Sequence, residues 1–175
     1  MGFKLGEWYV LYVRSRHERK VEELLHENNI EAFAPMIKTV KQWSDRKKTV
    51  LKPLIPSYVF VKINSTKDFS KALSVNGACM YIRFGAEYAK VTENEIDKIK
   101  ILIGTKDVID VKADFQIPAI GDIKEISYGP LSGLRCKILE NRNINKILVS
   151  INSLRLNIVA TIPSSFLQQP VQLGY

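Results

Sequence analysis

Pro53 to Ile63, PLIPSYVFVKI, brackets Leu54 and Ile55 with prolines and then alternates Tyr58 and Phe60 against Val59, Val61 and Ile63. Period-two alternation of aromatic and β-branched residues predicts a strand with one aromatic face. Glu7 to Arg14, EWYVLYVR, has the same texture, with Trp8, Val10 and Tyr12 on one face and Tyr9, Leu11 and Val13 on the other. Both read as central strands. If they pair, Tyr12, Tyr58 and Phe60 share a sheet face. A helix covers only one face of any sheet region, so the other is either packed core or an open apolar depression suited to a partner's helices. Periodicity alone favours the packed core.

Around these strands the signals alternate between helix and strand. Ser15 with Glu18 reads as a capping box opening a helix whose stripe is Val21, Leu24 and Leu25, with Asn28 and Asn29 at its exit. Glu31 to Met36 is a short strand interrupted by Pro35, and Ile37 to Leu54 a projecting hairpin turning at Ser44, Asp45 and Arg46. Lys67 to Val75 is weakly helical, Cys79 to Phe84 a strand, and Thr92 with Glu95 a second capping box before a helix ending at Gly104. Irregular mixing of the two element types predicts an α+β fold, an antiparallel sheet flanked by helices. Thr105 to Pro118 has scattered charge and no long apolar pattern and reads as a linker. Beyond it, Gly121 to Ser127, Leu134 to Glu140, Lys146 to Asn152 and Leu154 to Ile162 are short segments separated by turns, which predicts a small all-β barrel. The expected domains are therefore 1–104 and 118–175, joined by a linker at 105–117.

The 175 residues are 46% apolar and 25% charged, which suits one good core and a smaller one. No stretch approaches the roughly 18 to 20 apolar residues of a membrane span, and Met1 to Glu7 lacks a secretory pattern. A cytoplasmic chain with no membrane partner is expected, and Cys79 and Cys136 have neither metal-ligand nor disulfide-scaffold spacing. Net charge is +8, and residues 1–110 hold 19 basic and 14 acidic side chains. Six of the basic ones, Lys38, Lys41, Arg46, Lys47, Lys48 and Lys52, lie within fifteen positions beside only Asp45, and the remainder balances at 13 against 13. Within residues 1–110 the excess is therefore one patch. It suits a phosphate-facing element or a hairpin made basic for solubility.

No catalytic constellation emerges, so an enzyme is not expected. His17 and His26, nine positions apart on one helix, fall on opposite faces and cannot share a metal. Glycine-rich phosphate loops are absent, and no cofactor is expected.

Trp8-Tyr9-Val10-Leu11-Tyr12, Ala34-Pro35-Met36, Pro53 to Val61 and Ile82-Arg83-Phe84-Gly85 together resemble the NusG family of transcription elongation factors, over nearly the whole chain. The wording and spacing are closer to the specialised RfaH and UpxY-type antiterminators of capsule operons than to NusG itself. The resemblance implies an N-terminal domain that binds RNA polymerase and a C-terminal KOW domain, a five-stranded SH3-like barrel. It assigns Tyr12, Ile55, Pro56, Tyr58 and Phe60 to the clamp helices of the largest polymerase subunit, so it favours the open face. A bridge to the other large subunit would hold the clamp closed, shifting the equilibrium away from the paused state by its differential affinity.

Phe69, Ser70 and Lys71 align with the second polymerase contact, although the His-Thr-Thr element of RfaH is missing. Arg14, Arg16, His17 and Arg19, with Arg46, Lys47 and Lys48 at the hairpin tip, correspond to a surface for the non-template DNA strand. Cys136 replaces a glycine of the NusG pattern, which implies a local change in the barrel. In RfaH the C-terminal domain can fold as a helical hairpin. Here Ile144, Ile147, Leu148 and Ile151 have helical spacing, but the abundance of Ile, Val and Thr favours strands.

The resulting expectation is a monomeric, operon-specific antitermination factor. A ribosomal protein or termination factor is the expected partner of the KOW domain. A general NusG-type factor and an RNA- or ribosome-binding KOW protein are the alternatives.

Overall fold

The computed structural model describes residues 4–43, 45–114, 123–126, 130–141, 145–163 and 166. The chain forms two compact units, Met1–Ile96 and Asp97–Tyr175.

The first unit is built on strands β1 (Glu7–Val13), β2 (Ala32–Phe33), β5 (Tyr58–Ile63), β6 (Ala78–Tyr81) and β9 (Lys90–Val91). They form one antiparallel sheet in the order β2-β5-β1-β6, with β9 also paired to β1. Helices α1 (Glu18–Glu27) and α2 (Thr66–Ser74) supply Val21, Leu25 and Ala72 to a cluster with Tyr9, Leu11, Val13, Val59, Val61 and Ile63. Those sheet residues alternate along β1 and β5, so both helices cover one face, as the period-two pattern requires. A separate two-stranded ribbon, β3 (Met36–Gln42) with β4 (Lys47–Pro53), is the expected basic hairpin. A second small ribbon joins β7 (Arg83–Phe84) to β8 (Glu87–Tyr88), so the strand expected over Cys79 to Phe84 is broken at Ile82.

The two capping predictions fare differently. Before helix α3 (Glu93–Gly104) the box closes: the Glu95 amide donates to Thr92 Oγ1 at 3.3 Å, and the Thr92 amide donates to Glu95 Oε2 at 3.0 Å. Ser15 caps nothing. Arg16 takes a left-handed φ of 66°, so the chain turns once more before α1 and His17 becomes the N-cap, with no capping bond from its side chain. Glu18 is thereby turned inward and buried.

The second unit contains a five-stranded antiparallel sheet, β10 (Ile109–Asp114), β14 (Leu156–Ile162), β13 (Asn145–Ile151), β12 (Arg135–Asn141) and β11 (Ile123–Glu125), in that order. Strand β10 lies inside the stretch read as a linker. Val108, Ile109 and Val111 make no long apolar run, and only pairing with β14 makes Ile109–Asp114 a strand. The expected boundary at 117/118 lies outside the described residues, as do Gly121, Gly129 and Ile144. Among the described residues the sheet is open, with β10 and β11 at its edges, so the expected barrel is not closed here. Ile147, Val149 and Ile151 are buried in strand conformation. Cys136 pairs with Lys124 in unbroken register between Ile123↔Lys137 and Glu125↔Arg135, so the glycine-to-cysteine departure leaves this strand pair regular.

Candidate functional site

Register decides which side chains meet on the sheet face away from α1 and α2. Tyr12 stands opposite Tyr58 on β5 and opposite Met80 on β6, while Val10 stands opposite Phe60. Directly opposed residues of an antiparallel pair point to the same side. Met80, Tyr12 and Tyr58 therefore form a row across three strands. Met80 is 57% exposed, Tyr12 40% exposed and Tyr58 half-buried, and the two tyrosine rings meet edge to face with centroids 6.4 Å apart. Pro56 is exposed beside Tyr58.

One step inward the face closes. Phe60 stacks on Phe33 of β2 at 6.1 Å and has no exposed area, and Ile55 is likewise buried. The depression expected to be open is open only at its Tyr12 and Tyr58 end. Phe60 sits mid-sheet between Val10 and Phe33, whereas Tyr58 begins its strand and Tyr12 nearly ends its own. At the opposite end Trp8 Nε1 donates to Glu93 Oε2 at 2.8 Å. Lys62 Nζ donates to the same oxygen at 2.9 Å and lies 5.6 Å over the Trp8 ring. The Glu93 bond holds the Lys62 ammonium pKa above its ordinary value.

The turn that presents Pro56 and Tyr58 is held by a residue whose role the sequence hid. Ser57 has a left-handed φ of 63°, its carbonyl accepts from the Val13 amide at 2.8 Å, and its amide donates to Glu18 Oε1 at 2.7 Å. Glu18 is only 3% exposed. An acidic residue in a first helical turn looks like a cap, and nothing local signals a partner 39 positions away. Met80 was equally illegible, because only the β1–β6 register aligns it with Tyr12.

The other expected contacts separate. Phe69 on α2 is directed into the unit, stacked on Tyr81 with centroids 4.1 Å apart and meeting Tyr9 and Tyr88 edge-on. Burial there raises the Tyr81 phenol well above its ordinary pKa. Ser70 and Lys71 are exposed, and Lys71 Nζ donates to the Asn28 carbonyl at 3.2 Å. Arg14, Arg16 and Arg19 are exposed around the β1–α1 turn, near the Tyr12 end of β1, with Arg19 paired to Glu23 at 3.1 Å and His17 half-buried. Arg46, Lys47 and Lys48 are exposed at the tip of the β3–β4 ribbon, a second basic group separated from the first by strands of seven residues, about 20 Å of chain.

Among the described residues no group of three or more His, Cys, Asp or Glu could hold a metal ion, and no helix is long and apolar enough to cross a membrane.

Comparison with known proteins agrees with this architecture. The model of the family described as "NusG: Transcription termination factor nusG" matches residues 6–100. The transcription termination/antitermination protein NusG of Rickettsia bellii is 25% identical over 134 residues, covering 71% of this chain and 68% of that protein. A solved structure titled "Domain interaction in Thermotoga maritima NusG" superposes with a TM-score of 0.52 at 22% identity, over 91% of this chain and 94% of that one, a likeness of fold. A chain of an MjSpt4:Spt5 complex is more distant, with a TM-score of 0.32 at 12% identity over 92% of this chain and 96% of that one. With its sheet, helices and second β unit in place and more than half its length matched, the chain belongs to the NusG family of transcription termination and antitermination factors.

Proposed function

We propose that this protein is an operon-specific antitermination factor that docks on RNA polymerase through the exposed end of its aromatic face. The observation that carries the reading is the row Met80, Tyr12 and Tyr58 with Pro56, an apolar strip left uncovered at one end of a well-packed sheet. Such a strip suits the apolar stripe of a partner helix, and the clamp helices of the largest subunit are that partner. Ile55 and Phe60 form the buried floor that keeps the strip rigid. Ser70 and Lys71 are the exposed members of the second contact, since Phe69 is committed to the interior.

The arginines of the β1–α1 turn lie toward the same end as Tyr12, where they face non-template DNA once the strip is docked. Residues 1–104 act as the polymerase-binding domain. Residues 118–175 act as an SH3-like KOW domain that recruits a ribosomal protein or a termination factor. No bond is made or broken. The factor works by binding the closed clamp more tightly than the open one, and the shift it produces is limited by that difference.

The test is capture of RNA polymerase by the full chain. Tyr12→Ala with Tyr58→Ala is expected to abolish capture, while neutralising Arg46, Lys47 and Lys48 leaves it largely intact. The reverse pattern favours an RNA-binding KOW protein. Elongation complexes stalled on varied non-template sequences separate the two transcription readings: equal affinity for all of them assigns a general NusG-type role.

A further inference from the structure

The tip of the β3–β4 ribbon carries an exposed tryptophan among cations. Trp43 is 58% exposed, and its amide donates to the Arg46 carbonyl at 2.8 Å, closing the turn. Val40 and Leu51 are 66% and 51% exposed farther down the ribbon. A hairpin made basic for solubility needs the lysines but not three large apolar side chains in water. Exposed apolar area of this kind marks a binding surface.

Charge narrows the occupant to a polyanion, because positions 38–52 hold six basic side chains and one acidic. The flat indole narrows it further. Duplex DNA presents only base edges in its grooves, whereas unpaired bases offer faces on which an aromatic ring stacks. We propose that Trp43 is a base-stacking platform for single-stranded nucleic acid, with Arg46, Lys47 and Lys48 holding the adjoining phosphates. The inference deepens the nucleic-acid part of the reading above and rests on it, but not on the polymerase-docking part.

The chain has only two tryptophans, and Trp8 is buried and bonded to Glu93, so quenchable emission reports on Trp43. Titrating the full chain with oligothymidylate is expected to quench the exposed emission saturably, and a duplex of equal length to quench it far less. Trp43→Ala is expected to weaken oligothymidylate binding about 5- to 100-fold, measured by anisotropy of a labelled strand, while leaving its salt dependence unchanged. Trp43→Phe retains most of the affinity. Lys47→Ala with Lys48→Ala flattens the salt dependence instead. Trp43 emission unchanged at saturation, wild-type affinity in Trp43→Ala, or equal binding of polyglutamate each overturns the proposal, the last by identifying an acidic-protein site. Absence of any single-strand binding overturns it together with the nucleic-acid reading. Polymerase capture by Trp43→Ala is expected to be normal, so failure of docking is read separately.

Discussion

Removing the Glu18 carboxylate tests whether the aromatic strip depends on a buried hydrogen bond. In Glu18→Ala the Ser57 amide, now satisfied at 2.7 Å, loses its acceptor where Ser57 is only 9% exposed. A hydrogen bond to a charged group contributes about 1.5–3 kcal/mol, and a buried donor left unsatisfied costs a comparable amount, so the expected loss is about 2–3 kcal/mol. For a domain of this size that corresponds to a fall in Tm of about 10–20 °C. Glu18→Gln retains a neutral acceptor and is expected to lose only about 1 kcal/mol.

Urea unfolding followed by Trp8 emission, in a Trp43→Phe background, measures both variants as shifts in midpoint at constant slope. The consequence extends to function. Ser57 holds a left-handed backbone that a residue with a side chain adopts at a cost, so once released it relaxes and Pro56 and Tyr58 move. Polymerase capture by Glu18→Ala should then fall even at temperatures where the variant is folded. A Glu18→Ala midpoint within about 0.5 kcal/mol of wild type, or equal damage from Glu18→Gln, refutes the reasoning.

Thiol chemistry separates the two cysteines: Cys79 is exposed and should react at once with a thiol reagent at pH 8, while buried Cys136 should react only on unfolding. Burial pushes the Cys136 thiol up to about 11, so above its ordinary value of 9.0 the unfolded chain releases a proton that the folded chain keeps. Stability should therefore fall as pH rises from 9 toward 11, by an amount on the order of 2 kcal/mol, and Cys136→Ala should flatten that slope in urea titrations across the range. Gly77→Ala should destabilise the first unit by at least about 1–2 kcal/mol, because Gly77 has a φ of +101° and an added Cβ would meet Val21 Cγ2 at 2.9 Å. A thermal midpoint equal to wild type would contradict that packing. Thr92→Ala removes one half of the capping box and should cost about 1 kcal/mol, read by the same unfolding assay.

The two central strands, the basic ribbon, the Thr92 cap and the strand character of the second unit could all be read from local periodicity and turn chemistry. Those signals live within a few residues of one another, so the chain displays them without its fold. The family strings added the expectation of a docking face. The sequence by itself could not say how much of that face stays open. Tyr12, Tyr58 and Phe60 have the same aromatic character and alternate as strand residues should, yet Phe60 is enclosed and Tyr12 is not. Their difference arises from Phe33, brought alongside Phe60 when the short strand β2 pairs with β5, a pairing that local pattern does not specify. Met80 joins the strip only through pairing, Ile109–Asp114 becomes a strand only through β14, and Glu18 finds Ser57 only after α1 has packed. Local pattern determines which face a side chain takes along its own strand. Exposure and partnership depend on what arrives from elsewhere in the chain, and that is decided by register and packing.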